Sequence, residues 1–207
     1  MSGRKSKQKG NAFEREVATL LNSIYRTDEF RRTPQSGALM GQSNYARNAR
    51  LEESTKLTLA GDIICPSWFP YIVEVKHHKN SPNYATMIRG SDVTLDHWLG
   101  EVLFDAKNAK LHPMLVFKTT RVSTYFAIPA YIIISSKYSK TIKHILLYDS
   151  FAVMGIDILL QDPQMLTAIG STNLTRVSSF YKKPQIKHLL QLLESKKKPQ
   201  IMLTAPK

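Results

Sequence analysis

Cysteine is almost missing from this chain: Cys65 is the only one in 207 residues. A single thiol excludes an intramolecular disulfide and a cysteine-built zinc site, and it fits a reducing compartment best. Long apolar runs are missing too. The nearest candidate, Ile145 to Leu160, is interrupted by Asp149 and Asp157 and does not read as a membrane span. The basic start MSGRKSKQKG is followed by no apolar signal core. A cytoplasmic protein with no membrane partner is therefore expected. Acids are scarce, with 16 Asp and Glu against 29 Lys and Arg, which leaves a formal charge of +13. A chain that basic attracts a polyanion; nucleic acid is the commonest such partner and an anionic membrane surface its rival. No internal repeat is visible. What is plentiful is apolar side chain, 43% of residues, enough to bury a core and to exclude wholesale disorder. The length fits one domain, or one domain with an extension.

The chain is organised around Leu59 to Lys79, LAGDIICPSWFPYIVEVKHHK. The pattern predicts two short strands, Asp62 to Cys65 and Tyr71 to His77, joined by a Pro-containing turn. Strand side chains alternate, so Glu74 and Lys76 share one face while Val73 and Val75 share the other. Strands this apolar are usually buried, and buried carboxylates or ammonium groups are costly without partners. Two carboxylates and a lysine placed there suggest a cation site: two acids and a backbone carbonyl suit Mg²⁺, and an ammonium beside them can orient or activate a water. The plainer reading is an edge strand with a Glu–Lys pair facing solvent. His77 and His78, as strand neighbours, point to opposite faces and cannot serve one ion.

Residues 1–10 carry Arg4, Lys5, Lys7 and Lys9 and no acid, which predicts a basic flexible tail able to lie along phosphates. From Asn11 the apolar stripe Phe13, Val17, Leu20, Leu21, Ile24 predicts an amphipathic helix, with Glu14 beside the stripe, where the helix dipole already favours an acid. Phe30 to Gly37, FRRTPQSG, reads as a short strand ending in a turn. Residues 38–58 have no apolar period and read as a long loop carrying Arg47 and Arg50. NSPNYATMIRGS is irregular. Asp92 to Lys110 is predicted helical, N-capped by Ser91 or Asp92. Two strands follow, HPMLVFKTT and VSTYFAIPAY, turning at Thr119 to Arg121. Ala130 to Ser135 and His144 to Tyr148 read as further strands. Residues 149–180 show no firm period, and Gln185 to Lys198 reads as an amphipathic helix.

Asp62 followed by Glu74-x-Lys76 resembles the metal motif of the PD-(D/E)xK nucleases. KGNAFERE at the head of the first helix, RRTPQSG after it, and the lysine-ended strand closing at Lys118 resemble, in order, the archaeal-type Holliday junction resolvases over roughly Lys9 to Pro129. The resemblance implies an α/β fold, a mixed central sheet flanked by helices in the order helix, three strands, helix, two strands. It divides the chain into 1–10 as the tail, 11–130 as the nuclease core and 131–207 as an extension packed on it. It implies that Asp62, Glu74 and the Val75 carbonyl hold Mg²⁺, with Mn²⁺ able to substitute, that Glu14 completes the ion's shell, that Lys76 positions or deprotonates the attacking water, and that Ser36 sits near the scissile phosphate. Arg4, Lys5, Lys7, Lys9, Arg31, Arg32, Arg47, Arg50 and Lys118 are then expected to contact DNA, and symmetric junction cutting implies a homodimer. The chain departs from that family at two places: the 38–58 segment is long, and Gly61 rather than proline precedes Asp62. The alternatives are a restriction- or repair-type nuclease of the same superfamily acting on duplex, and a basic nucleic-acid-binding protein whose acids form plain salt bridges.

Overall fold

The computed structural model describes residues 2–34, 60–80, 82–134 and 144–170, with 180–181, 184, 186–187 and 190–191 beyond them. The side chains of 2–7, 134 and 168–170 are outside that description. The first helix, α1 (Ser2–Tyr25), buries Phe13, Val17, Leu21 and Ile24 of the predicted stripe together with Ala18, while Leu20 is half-buried. It starts at Ser2 rather than Asn11, so the backbone of 2–10 continues the helix where a flexible tail was expected. Lys, Arg and Gln lose little rotamer freedom in a helix, so the basic segment can prolong one already nucleated by packing. The helix ends at Arg26 in the left-handed conformation, φ 54°. Asn22 then clamps Phe30: its amide donates to the Phe30 carbonyl and its Oδ1 accepts the Phe30 N–H, both at 2.9 Å. That pair aims the chain into β1 (Arg31–Arg32), which is shorter than the strand predicted from Phe30.

β1 pairs antiparallel with β2 (Ile63–Ile64), and β2 with β3 (Tyr71–His78). After α2 (Tyr84–Ile88), a helix inside the stretch expected to be irregular, and α3 (Val93–Ala109), the chain returns as β4 (His112–Thr119). Asp92 caps α3, its Oδ1 accepting from the N–H groups of Thr94 and Leu95, as the sequence suggested. β4 lies parallel to β3 over its whole length, Tyr71 opposite His112 through His78 opposite Thr119. β5 (Thr124–Pro129) turns back antiparallel.

Two regions differ from expectation. Ala130 to Ser135 was read as a strand, but Ala130–Ile134 is a helix, α4. A short apolar run carries no period to separate the two, and here Ile132 and Ile133 are buried against the sheet, which overrides their β preference. The periodless 149–180 region supplies β7 (Phe151–Gly155), α5 (Asp157–Gln161) and α6 (Gln164–Gly170). β7 pairs with β5 on one side and with β6 (Leu146–Tyr148) on the other, so among the described residues the sheet has seven strands in the order β1-β2-β3-β4-β5-β7-β6. The chain past Pro129 thus shares the sheet. The Tyr71 hydroxyl donates to the Leu166 carbonyl at 3.1 Å, and the Tyr148 hydroxyl accepts the Asp92 N–H at 2.8 Å. The predicted helix Gln185 to Lys198 lies largely outside the described residues.

The result is a mixed α/β sheet with helices on both faces, the predicted class. One face packs Tyr71, Val73, Val75, Met114 and Val116 against α1; the other packs Ile72, Leu115 and Phe117 against α3.

Candidate active site

β2 contributes its first charged neighbour by a turn that only glycine fits. Gly61 has φ +77°, and a Cβ there would lie 2.7 Å from the Val73 carbonyl oxygen. This explains why glycine, not φ-locked proline, precedes Asp62. Asp62 is then pinned from three directions. Its N–H donates to the Val73 carbonyl, its carbonyl accepts the Thr33 N–H, and its Oδ2 accepts the Val75 N–H at 2.9 Å. The Val75 N–H therefore faces Asp62, and because a strand residue's N–H and C=O point to the same side, the Val75 carbonyl does too.

Glu74 and Lys76 do share a face: Lys76 Nζ is 2.7 Å from Glu74 Oε1. The same ammonium is 2.9 Å from Glu101 Oε2 on α3, and His97 Nε2 lies 3.7 Å from the other Glu101 oxygen. Burial lifts the Glu74 carboxyl to about 8, and the Asp62 charge adds to the rise despite Lys76. Burial works against the Lys76 ammonium, but the charges of Glu74 and Glu101 outweigh it and push its pKa up.

Glu14 reaches the same place from α1. It is buried, its Oε2 is 2.5 Å from Arg32 Nε, and Arg32 also donates to Asn11 Oδ1 at 3.1 Å. Burial first and the Asp62 charge second raise the Glu14 pKa, while Arg32 and Lys76 oppose the rise. Glu14, Asp62, Glu74 and Lys76 thus form one electrostatic neighbourhood, drawn from α1, the start of β2, and β3.

The other sequence-predicted residues divide. Arg32 is turned onto Glu14 and Asn11 rather than outward. Lys118 Nζ sits 3.0 Å from Glu16 Oε1 and 5.2 Å from the centroid of the Phe13 ring. Arg31 and Lys9 are exposed. Ser36, Arg47 and Arg50 lie outside the described residues, as do the side chains of Arg4, Lys5 and Lys7. His77 packs on Phe13 and His78 on Trp98, opposite faces as expected. Sequence reasoning missed Glu101 and His97. Their signal was a polar pair at i, i+4 within the apolar run of α3, VTLDHWLGEVLF, readable as a charged stripe once that helix is known to cover β3.

The donor set is carboxylate and carbonyl oxygen, the chemistry of a hard divalent cation. Glu14 and Glu74, raised by burial and then by the Asp62 charge, are acids that a cation beside them would also favour as carboxylates. Among the described residues, however, no group of three or more His, Cys, Asp or Glu side chains could hold a metal ion. The fit is to Asp62, Glu74 and the Val75 carbonyl with water completing the shell, and not to a cage in which Glu14 is a direct third carboxylate.

A mixed sheet flanked by helices, with an Asp hydrogen-bonded to the strand that carries Glu-x-Lys, defines a restriction-endonuclease-like α/β domain. Residues 5–169 match the family described as "Phage putative PDDEXK endonuclease", and the chain belongs to that family. The match runs well past Pro129, where the resemblance read from the sequence stopped. Membership supports a nuclease acting on DNA, of a type that generally uses divalent metal ions. No match was found among curated proteins or among solved structures. No helix among the described residues is long and apolar enough to cross a membrane.

Proposed function

We propose that this protein is a Mg²⁺-dependent endodeoxyribonuclease, with Mn²⁺ able to substitute, and that Asp62, Glu74, Val75 and Lys76 carry its chemistry. The carrying observation is the 2.9 Å bond from the Val75 N–H to Asp62 Oδ2, which ties the lone Asp to the Glu74-x-Lys76 strand. Asp62, Glu74 and the Val75 carbonyl would hold the cation. A divalent ion there supplies Lewis-acid polarisation of the scissile phosphate and a more acidic water. Lys76 orients the attacking water and offsets charge that develops on the phosphate. Glu101 holds the Lys76 ammonium from the α3 side, so Lys76 stays placed when Glu74 turns to the cation. Glu14, fixed by Arg32, contributes through water. Ser36 stays with the proposal as a phosphate neighbour.

The finer substrate is branched DNA, a four-way junction cut by paired nicks from a homodimer. What supports it is the order of KGNAFERE, RRTPQSG and the Asp62 to Lys76 strands, together with the +13 charge. Arg4, Lys5, Lys7, Lys9, Arg31, Arg47 and Arg50 are the proposed backbone contacts. The test is cleavage of a four-way junction against a linear duplex of equal length, with and without Mg²⁺, alongside the mass in solution. Metal-dependent cutting of the junction by a dimer is expected. A monomer that cuts both equally rejects the junction reading and leaves the metal chemistry; cutting in EDTA rejects the chemistry itself.

A further inference from the structure

Just past the end of β1, Thr33 is fully buried, and its hydroxyl has no hydrogen-bond partner among the described residues. The hydroxyls of Tyr25 and Tyr181 and the Nδ1 of His97 are buried and unpaired as well, but each belongs to a side chain with another reason to be there. Tyr25 packs its ring on Phe30, Trp68 and Phe69, Tyr181 packs on Phe180, and His97 turns its other nitrogen towards Glu101. Thr33 has no such reason. Valine would fill the same space without the unpaired oxygen, and a buried hydroxyl that bonds nothing lowers stability.

The backbone sets where that hydroxyl lies. The antiparallel pairs Arg31–Ile64 and Arg32–Ile63 continue one step further, the Thr33 N–H donating to the Asp62 carbonyl at 2.9 Å. Thr33 therefore stands opposite Asp62. Arg32 turns towards Glu14 on α1, and strand side chains alternate, so Thr33 takes the other face, the one that carries Glu74 and Lys76. Ile63 pairs with Val73, which brings Asp62 beside Glu74. A row Thr33, Asp62, Glu74 thus crosses β1, β2 and β3 at the site. Cβ atoms of directly opposed residues are about 5 Å apart, a span that one water bridges between a hydroxyl and a carboxylate. Threonine is stiff at χ1, and Pro34 behind it favours an extended backbone, so the hydroxyl has few other places to go.

We propose that the Thr33 hydroxyl holds one water of the divalent cation's shell, next to Asp62, and is a positioning residue of the site. The proposal deepens the nuclease reading and rests on it for the presence of the cation. So few protein oxygens leave Mg²⁺ several waters, and an ordered water keeps its place where it has polar partners besides the ion. On the Asp62 side Thr33 is that partner. The unpaired hydroxyl that destabilises the protein without cation gains its hydrogen bond when the cation binds.

The test uses the full chain without DNA, so that no turnover is involved. Cation binding is read as the rise in melting temperature with Mg²⁺ and, separately, by titration with Mn²⁺ followed by electron paramagnetic resonance. Thr33→Val keeps the backbone bond to Asp62 and removes only the hydroxyl. In EDTA this variant should melt about 2–4 °C above wild type, because an unpaired polar group is gone. Its affinity for Mn²⁺ should nevertheless fall roughly tenfold, with a matching loss of the Mg²⁺-induced rise. Thr33→Ser, which keeps a hydroxyl, should bind the ion as wild type does. A Thr33→Val protein that melts below wild type in EDTA has lost a bond the hydroxyl already makes, and overturns the proposal. An unchanged Mn²⁺ affinity, or a serine variant as weak as the valine one, overturns it too. Asp62→Asn separates this failure from that of the nuclease reading. Mn²⁺ binding that Asp62→Asn abolishes and Thr33→Val leaves unchanged removes Thr33 and keeps the cation site; a wild type that binds no ion removes the cation site and the role of Thr33 with it.

Discussion

The two faces of β3 are built from the same eight residues and do opposite work. Towards α1 the strand presents Tyr71, Val73 and Val75, all buried in one apolar cluster. Towards α3 it presents Ile72, then Glu74 and Lys76, so that face is apolar for one residue and then charged. The helix opposite changes in step: Leu95, Leu99, Val102 and Leu103 are buried, while His97 and Glu101 line up with the ammonium and Asp105 adds its charge to the neighbourhood of Glu74. β2 is only two residues long, so the strand loses its neighbour on that side just where the charges begin. Charge is tolerated in the middle of a sheet because the flanking strand stops, the facing helix supplies partners, and Asp62 closes over the gap from the turn. The apolar face holds the scaffold rigid; the charged face is where that rigidity is used.

The sharpest way to break the comparison is to change one face at a time. On the charged face, Asp62→Asn or Glu74→Gln should lower cleavage on the order of a thousandfold or more, with DNA binding equal or tighter because a charge facing phosphate is gone. Circular dichroism and melting should show the fold intact; robust cutting by either variant ends the assignment. On the apolar face, Met114→Ala, at a fully buried site, should cost about 2–5 kcal/mol of stability while the surviving folded enzyme keeps its turnover. A loss of turnover as large as that of Asp62→Asn would show that the two faces are not separable.

Between them lies Gly61. An alanine there must force φ +77° on an L side chain and push its Cβ into the Val73 carbonyl. The expected cost is about 1–3 kcal/mol, and because Asp62 follows directly, activity should fall more than stability explains. Equal melting temperatures for the two proteins would count against the turn geometry. Glu101→Gln should be milder still: about tenfold in kcat with KM little changed, partly restored by Glu101→Asp, because the residue positions Lys76 without touching the phosphate. A drop confined to KM would place Glu101 in substrate binding instead.

How much of this could be read from the residues alone varies with the kind of signal. Apart from α2, the element order from α1 to β5 was legible, most clearly where a period ran, 3.6 for Phe13 to Ile24 and 2 for Tyr71 to His77. The Glu74-x-Lys76 pair was legible because an acid and a lysine are so out of place in YIVEVKHH. β7 was not, since FAVMG is a five-residue apolar run whose partner β5 lies in another part of the sequence, and pairing is a tertiary fact. α4 was misread for the same reason. Arg32 was expected to contact DNA on the strength of the resemblance; what the residues alone could not show is the buried Glu14 it satisfies. Glu101 was hidden because nothing in α3 says which strand it will cover.

The smallest effect, and the finest test of the charged face, is its response to pH. Two influences compete at Glu74. Burial and then the Asp62 charge favour the neutral carboxyl, while Lys76, 2.7 Å away, favours the carboxylate. The first pair prevails and the folded-state value is pushed up to about 8, against an ordinary 4.5. A group raised on folding contributes stability that is fully present below its unfolded value and lost as pH rises through its folded one. Without added cation, the melting temperature of the wild type should therefore decline relative to Glu74→Gln between about pH 4.5 and 8, the window set by those two values. Cation binding needs the carboxylate and so has the opposite slope: Mg²⁺ should bind more tightly as pH rises across the same window, releasing a proton that is no longer released above it. Parallel melting curves for the two proteins would mean that Lys76 keeps Glu74 ionised throughout. In that case the crowding of acids around Asp62 would not favour a cation, and the ion pair alone would account for the site.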